Sequence, residues 1–252
     1  MKKLSGEYWS LARRPLNALA FLAPLLVVYE LGVLWLAGAM EGSKADSLRN
    51  GADHWMRTWL QQAGCEQAWL LPVLVVGGLL AWQFVAKQPW QISVPAQLGM
   101  WIESLLFACC LVLLGQIQDM AFQQYHTLRF TSWLSLSRSD VIPRAISFVG
   151  AGIYEEVLFR LCLLPLCYGA LRVLLIPGKL AMVLTVIITS LLFSAAHYIG
   201  PAADQFTLFS FIFRALAGLF FAVLFVLRGF GITAGCHAAY DLLVGVLLTS
   251  TW

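Results

Sequence analysis

Long apolar stretches alternate with short polar connections along the whole chain. A helix that crosses a membrane needs about 20 largely apolar residues, and by that rule spans lie near residues 16–40, 68–86, 97–121, 142–168, 179–199, 206–228 and 230–251. Only the short turn Arg228–Gly231 separates the last two, so six or eight spans remain alternatives. The pattern predicts an all-α, polytopic transmembrane helical bundle with about seven spans.

The composition supports a membrane protein. Of the 252 residues, 60% are hydrophobic and only 12% are charged, whereas soluble domains are about half apolar. The formal net charge of +3 is small, and the basic residues form no dense run. We therefore expect the lipid bilayer as a partner and exclude a nucleic acid.

The length of the first apolar stretch and the residues before it indicate whether it is kept as a span and which way it crosses the membrane. Four of them are basic, namely Lys2, Lys3, Arg13 and Arg14. The stretch itself is too long for the removable core of a signal peptide, so we interpret it as a retained span. The basic residues ahead of it favour a cytoplasmic N-terminus.

Two polar connections carry aromatic residues of the kind found at membrane interfaces. Residues 41–67 include Trp55 and Trp59 at helical spacing, which predicts an amphipathic helix in the headgroup layer. Residues 123–140 form a second mixed polar connection. The six cysteines lie mostly in apolar segments without the spacing of a disulfide framework or a zinc ribbon, so packing roles are expected.

Three polar fragments interrupt the apolar helices of the C-terminal half. They are Glu155–Arg160, with the sequence EEVLFR, Phe193–His197, with FSAAH, and His237–Asp241, with HAAYD. Ionisable groups are costly inside a membrane and are retained there when they are paired or take part in function. The three fragments are therefore the candidate site of chemistry.

The first fragment divides its two carboxylates between two roles. Residues four apart share a helix face, so Glu156 is expected to pair with Arg160 and to support the site. Glu155 is rotated by about 100° from Glu156 and has no cation nearby in the sequence, which makes it the candidate general base. The alternative is that both carboxylates only hold helices together.

The two histidine fragments carry unequal weight. His237 and Asp241 are four residues apart, so the carboxyl group can reach the imidazole or both can face one cavity. A polar clasp between helices is the alternative for this pair. His197 taken alone is more typical of an interfacial or core histidine.

Other charged residues also lie inside the predicted spans. Glu30 and Glu103 are expected to form hydrogen bonds or ion pairs between helices. Arg214 is expected to pair with Asp204 or Glu156.

The order of the fragments resembles a known family. Glu-Glu-x-x-x-Arg, Phe-x-x-x-His and His-x-x-x-Asn or a similar residue are the motifs of the CPBP family of intramembrane endopeptidases (CAAX protease and bacteriocin-processing), related to the type II CAAX prenyl endopeptidases. The resemblance covers about Pro143 to Leu248. It implies a catalytic helical core at 142–252, preceded by membrane helices and interfacial loops at 1–141.

The resemblance also implies roles for individual residues. Glu155 and His197 would activate water, and His237 with Asp241 would stabilise the oxyanion of peptide hydrolysis. Asp241 stands where the prenyl-protease branch has asparagine, and an ionised aspartate cannot donate a hydrogen bond to an oxyanion. Asp241 would therefore be protonated, or it would hold a protonated His237 as the donor.

Other chemistries use the same residues. Glu155, His197, His237 and Asp241 have the ligand types of a zinc site, and the family has been described both as metal-dependent and as metal-independent. No His-Glu-x-x-His helix is present, so we favour hydrolysis without a cofactor. Cys236 adjoins His237 but diverges from it by about 100° on a helix, which argues against a thiol nucleophile.

The expected substrate is a membrane-associated peptide or protein tail, because a site inside a membrane suits folded soluble proteins poorly. A bacterial inner membrane is the expected location. A non-catalytic membrane scaffold or immunity protein of the same fold is the rival interpretation. In that case the same polar residues would serve only to hold helices together.

Overall fold

The computed structural model describes residues 8–39, 49–123, 141–200 and 203–248. Over these ranges it consists of helices and connections without strands, which confirms the all-α prediction. The helices are α1 Pro15–Ala39, α2 Gly51–Gln62, α3 Leu70–Val85, α4 Val94–Gln123, α5 Val141–Glu156, α6 Leu164–Val173, α7 Gly178–Ala196, α8 Leu208–Arg228 and α9 Phe230–Leu242. Two π-helical segments are Val157–Leu163, between α5 and α6, and Leu243–Leu247, after α9. Residues 8–12 form a short helical turn before α1.

The helices are compatible with the predicted total of about seven spans. Five are long and apolar enough to cross a membrane, namely Pro15–Gly38, Val94–Phe122, Gly178–Ala196, Leu208–Arg228 and Phe230–Leu247. The apolar helix α3 is shorter, and α5 continues through a π segment into α6 over residues 141–173. Large apolar side chains such as Phe84, Leu98 and Leu166 are exposed on the outside, as expected for an integral membrane protein facing lipid.

Helix α9 lies at the centre of the bundle. It packs against α1, α4, α5 and α8, and all its residues from Phe230 to Ala238 are buried. The first half of α9 is therefore surrounded by protein on every side. A side chain on α9 can be deep in the bundle although it is only a few residues from the start of its helix.

Partly buried ion pairs and hydrogen bonds join helices that are distant in the chain. The guanidinium Nη2 of Arg57, on α2, lies 3.0 Å from Oε1 of Glu30 on α1, and the hydroxyl of Tyr154 on α5 donates to the same oxygen at 2.5 Å. Arg228 Nη2 lies 2.7 Å from Oε2 of Glu103, linking α8 to α4. Glu30 and Glu103 bond between helices, as predicted from the sequence.

The structure describes only one of the two predicted interfacial connections. Helix α2 occupies the centre of the first one, residues 41–67, with Met56 buried and Trp59 half exposed, as an amphipathic helix requires. The second one, from residue 123 onward, lies almost entirely outside the described residues.

Candidate active site

The glutamate pair lies where its helix changes type. Glu155 and Glu156 are the last two residues of α5, and the π segment Val157–Leu163 begins immediately after them. The second π segment, Leu243–Leu247, begins two residues after Asp241. Short π segments inside helices are often found at functional sites. The chain thus has one beside each carboxylate-bearing fragment, a feature that the apolar pattern did not reveal.

Gly152 allows the glutamate helix to approach the central helix closely. A Cβ atom at Gly152 would lie only 2.6 Å from Cβ of Ala238, and equally close to its backbone. Real Cβ atoms do not approach so near, so a side chain at this position would force the helices apart. The contact between Gly152 and Ala238 brings the end of α5 against the middle of α9, next to His237.

Glu156 connects His237 to Arg160. Its Oε1 lies 2.7 Å from Nδ1 of His237 and 3.0 Å from Nη1 of Arg160, and the carboxylate is completely buried. Because a carboxylate only accepts, Nδ1 of His237 carries the proton. Arg160 also donates from Nη2 to the carbonyl of Gly218 at 3.1 Å. The predicted pair of Glu156 and Arg160 is present, and it extends to the histidine.

Two phenylalanines pack against the imidazole of His237 and the guanidinium of Arg160. The imidazole of His237 stacks on Phe221, with 4.5 Å between ring centres and an angle of 18°. Cζ of Arg160 lies 4.5 Å from the centre of the Phe193 ring and 5.3 Å from that of Phe221, within the range of cation–π attraction. Phe221 lies outside the three fragments, and its apolar surroundings in the sequence gave no signal for it.

His197 follows the last residue of α7 and is held by its own helix. Its Nδ1 lies 2.8 Å from the carbonyl oxygen of Phe193, so Nδ1 donates the hydrogen bond. In the neutral imidazole, Nε2 then carries the lone pair. That nitrogen lies 3.8 Å from Oε2 of Glu155.

Glu155 Oε2 lies between the two histidines. Nε2 of His237 is also 3.8 Å from this oxygen. The oxygen is buried and has no hydrogen-bond partner among the described residues. Polar atoms at such separations are commonly bridged by water. The three atoms bring a carboxylate and two imidazoles together at one point.

Asp241 faces the same nitrogen of His237 as Glu155 does. Its Oδ2 lies 3.5 Å from Nε2 of His237, and about a fifth of its side chain is exposed. The expectation that Asp241 can reach the imidazole is met at ion-pair distance. The hydrogen-bond partner of the opposite nitrogen, Nδ1, is Glu156 from another helix.

The four predicted catalytic residues therefore form one cluster, although the sequence placed His197 at the end of one span and His237 near the start of another. The burial of α9 removes this difficulty, because the first half of that helix is already inside the bundle. Arg214 pairs with Asp204 and not with Glu156, with 2.5 Å between Nη2 and Oδ2. Cys236 is buried, in keeping with a packing role.

The ligand types of zinc are present in this cluster, in Glu155, His197, His237 and Asp241. Within the described ranges, no group of three or more His, Cys, Asp or Glu side chains is arranged so as to hold a metal ion.

Comparison with known families shows what the C-terminal part of the chain is similar to. The model described as Type II CAAX prenyl endopeptidase Rce1-like matches residues 137–243, a region that contains all three polar fragments. The match confirms the family resemblance inferred from the motifs. No curated protein and no solved structure matches the chain significantly.

Proposed function

We propose that the protein hydrolyses a peptide bond in a membrane-associated peptide or protein tail, with water activated by Glu155 and His197. The observation that carries this proposal is the position of Glu155 Oε2, buried without a hydrogen-bond partner among the described residues and 3.8 Å from Nε2 of both His197 and His237. The burial of Glu155 inside a helical bundle favours proton uptake by its carboxylate during the reaction.

The proposed reaction begins at this oxygen. Glu155 takes a proton from water while the water oxygen forms a bond to the carbonyl carbon of the substrate. Nε2 of His197 holds the water, because its Nδ1 donates to the Phe193 carbonyl and leaves Nε2 as an acceptor. The tetrahedral intermediate then breaks its carbon–nitrogen bond, and the proton from Glu155 passes to the leaving amine.

His237 is the proposed donor to the oxyanion. Its Nδ1 proton is engaged by Glu156, so Nε2 can donate only when the ring is protonated. Glu156 provides the counter-charge for that imidazolium, and Arg160 in turn balances Glu156. Asp241 lies 3.5 Å from the same Nε2 and stabilises the cation from the other side. In this assignment Asp241 remains an acceptor, which removes the conflict with the asparagine of the prenyl branch.

The proposed orientation follows from the basic N-terminal residues, which favour the cytoplasm of a bacterial cell. With seven spans, the connection between α7 and α8 would then lie on the opposite face of the membrane. Single-cysteine variants at Glu66 and Lys87, labelled with an impermeant maleimide in intact cells, test this arrangement. Labelling at position 66 but not at position 87 is the expected result, and the reverse pattern would overturn it.

The decisive experiment measures cleavage of a membrane-peptide library by purified protein in liposomes, with mass spectrometry to locate the cut. Wild type is compared with Glu155→Gln, His197→Gln and the control Glu66→Gln, which changes an exposed carboxylate in a connection. Each protein is assayed before and after dialysis against a chelator. We expect cleavage by wild type and by the control, loss in the two site variants, and no effect of the chelator.

The other outcomes separate the rivals. Cleavage that is lost on dialysis and restored by zinc would overturn the metal-free mechanism in favour of a zinc-dependent intramembrane protease. Absence of cleavage by folded wild-type protein over a broad library would reject the peptidase assignment and favour a scaffold or immunity protein. Cleavage that survives in Glu155→Gln would remove Glu155 as the base.

A further inference from the structure

Arg214 is a cation near the proposed site, and it has no part in the proposed reaction. It is the seventh residue of α8, whose N-terminal end is joined to the end of α7, where His197 lies. Its guanidinium lies over the ring of Tyr198, the residue that follows His197. The guanidinium therefore lies at the same end of the bundle as the proposed catalytic groups.

Only half of this guanidinium is engaged. Nη2 of Arg214 donates to Oδ2 of Asp204 at 2.5 Å, whereas Nη1 is buried and has no hydrogen-bond partner among the described residues. The guanidinium also lies over the ring of Tyr198, 5.3 Å from its centre, which holds its plane in position. Arginine presents two parallel N–H groups that match the two oxygens of a carboxylate. Asp204 uses only one side of this fork.

Asp204 is an exchangeable partner. About half of its side chain is exposed, against a fifth of that of Arg214, and an exposed carboxylate loses little by returning to water. The backbone N–H of Asp204 donates to the carbonyl of His197 at 2.9 Å. The carboxylate that occupies Arg214 is thus attached through its backbone to a proposed catalytic residue.

We propose that Arg214 binds a carboxylate of the peptide substrate, with Asp204 holding that position until the substrate arrives. This inference rests on the proposed peptidase function and adds a preference to it. A carboxylate that accepts from both Nη1 and Nη2 would displace Asp204 and satisfy the buried N–H. Bound there, the substrate would be held close to His197 and Asp241. The carboxylate is either the free C-terminus of the peptide or an acidic side chain near the scissile bond.

The structural alternative is that Arg214 only offsets the charge of Asp241 or fixes the connection through Asp204. In that case, removal of the Arg214 side chain would weaken the binding of all three peptides equally. The two interpretations also differ for Asp204. A competitor improves binding when it is removed, whereas a structural partner impairs binding when it is removed.

The test measures binding to liposome-reconstituted full-length protein carrying Glu155→Gln, so that no probe is consumed. The probes are three versions of one labelled hydrophobic peptide: a free C-terminal acid, the C-terminal amide, and the amide with one aspartate near its end. Arg214→Gln, Asp204→Asn and the double variant are made in this background. Thermal unfolding of each variant, followed by tryptophan fluorescence, reports whether it is folded.

We expect the acid to bind about tenfold more tightly than the amide, since a charge-assisted pair is lost in the amide. Arg214→Gln should abolish this difference without changing amide binding, and Asp204→Asn should increase it several-fold. The double variant should behave like Arg214→Gln. If the aspartate-bearing amide, and not the terminal acid, shows the preference, the carboxylate comes from a side chain.

Equal binding of all three peptides to the parent protein would overturn the inference. So would weaker acid binding in Asp204→Asn, because a competitor cannot weaken binding by its removal. These outcomes are distinct from failure of the proposed function, which appears as absence of cleavage by protein with Glu155 intact. A carboxylate preference without cleavage would leave Arg214 as a binding residue in a protein that is not a peptidase.

Discussion

Nδ1 of His237 donates to Oε1 of Glu156 over 2.7 Å, joining two residues that are 81 positions apart in the chain. This hydrogen bond decides which nitrogen of His237 faces Glu155 and Asp241. It also gives the second glutamate of the pair a function that the first cannot replace, because Glu155 contacts only the opposite nitrogen. The adjacent glutamates thus act on opposite edges of the same imidazole.

Replacing Glu156 by glutamine tests this arrangement. A glutamine lacks the negative charge that stabilises the imidazolium of His237. His237 would then face the oxyanion as a neutral donor at best, and a neutral hydrogen bond is weaker than a charge-assisted one. We expect the rate of peptide hydrolysis to fall by about 100-fold or more, with KM little changed. Steady-state kinetics of Glu156→Gln against the exposed control Glu66→Gln provide the measurement. Equal rates in the two variants would show that the orientation of His237 does not depend on Glu156.

Replacing Glu155 by glutamine should separate activity from stability. Its Oε2 is buried without a hydrogen-bond partner among the described residues, and a buried charge that lacks hydrogen bonds is costly to the folded state. We therefore expect Glu155→Gln to be inactive but at least as resistant to thermal unfolding as wild type. Glu156→Gln should instead unfold at a lower temperature, because it leaves the buried Arg160 without its counter-charge. If both substitutions changed the unfolding temperature in the same direction and by the same amount relative to wild type, the assignment of the two glutamates would be contradicted.

Gly152→Ala is expected to lower both stability and activity. The added methyl group would overlap Ala238 and move the end of α5 away from His237. Gly169→Ala, on the exposed side of α6 with open space around it, is the matched control and should be neutral or slightly stabilising. Adding Ala238→Gly to Gly152→Ala removes one of the overlapping atoms and should restore part of the activity. If Gly152→Ala and Gly169→Ala have the same thermal unfolding temperature and the same activity, close approach at Gly152 is not required.

Tyr154→Phe probes the network on the other side of α5. Tyr154 precedes Glu155 and donates to Glu30, while Tyr29 donates to Asp53 at 2.6 Å in the same group of charges. Loss of either buried hydroxyl should cost about 1–3 kcal/mol of stability by leaving a carboxylate oxygen less satisfied. Only Tyr154→Phe should also lower kcat, because only that tyrosine lies on the helix that carries Glu155. An equal reduction of kcat in Tyr29→Phe would show that the position of Tyr154 beside Glu155 has no separate effect on catalysis.

The apolar pattern predicted much of the fold, because lipid requires long apolar helices whatever their order in the bundle. The polar fragments predicted which side chains gather, since charges at such depth need partners. The identity of those partners was less accessible. The i,i+4 rule found Glu156 with Arg160 within one helix, but the bond from Glu156 to His237 crosses between helices and has no local spacing. Phe221, stacked on His237, lies within an apolar run that would look the same if it faced lipid.

The central position of α9 bears on how the protein is made. Helix α9 follows in the chain all the helices against which it packs, α1, α4, α5 and α8. During synthesis these helices therefore enter the membrane before α9, which fills the space between them. Until α9 is inserted, Glu155, Glu156 and His197 lack the contact with His237. During synthesis the proposed site therefore stays incomplete until α9 has entered the membrane.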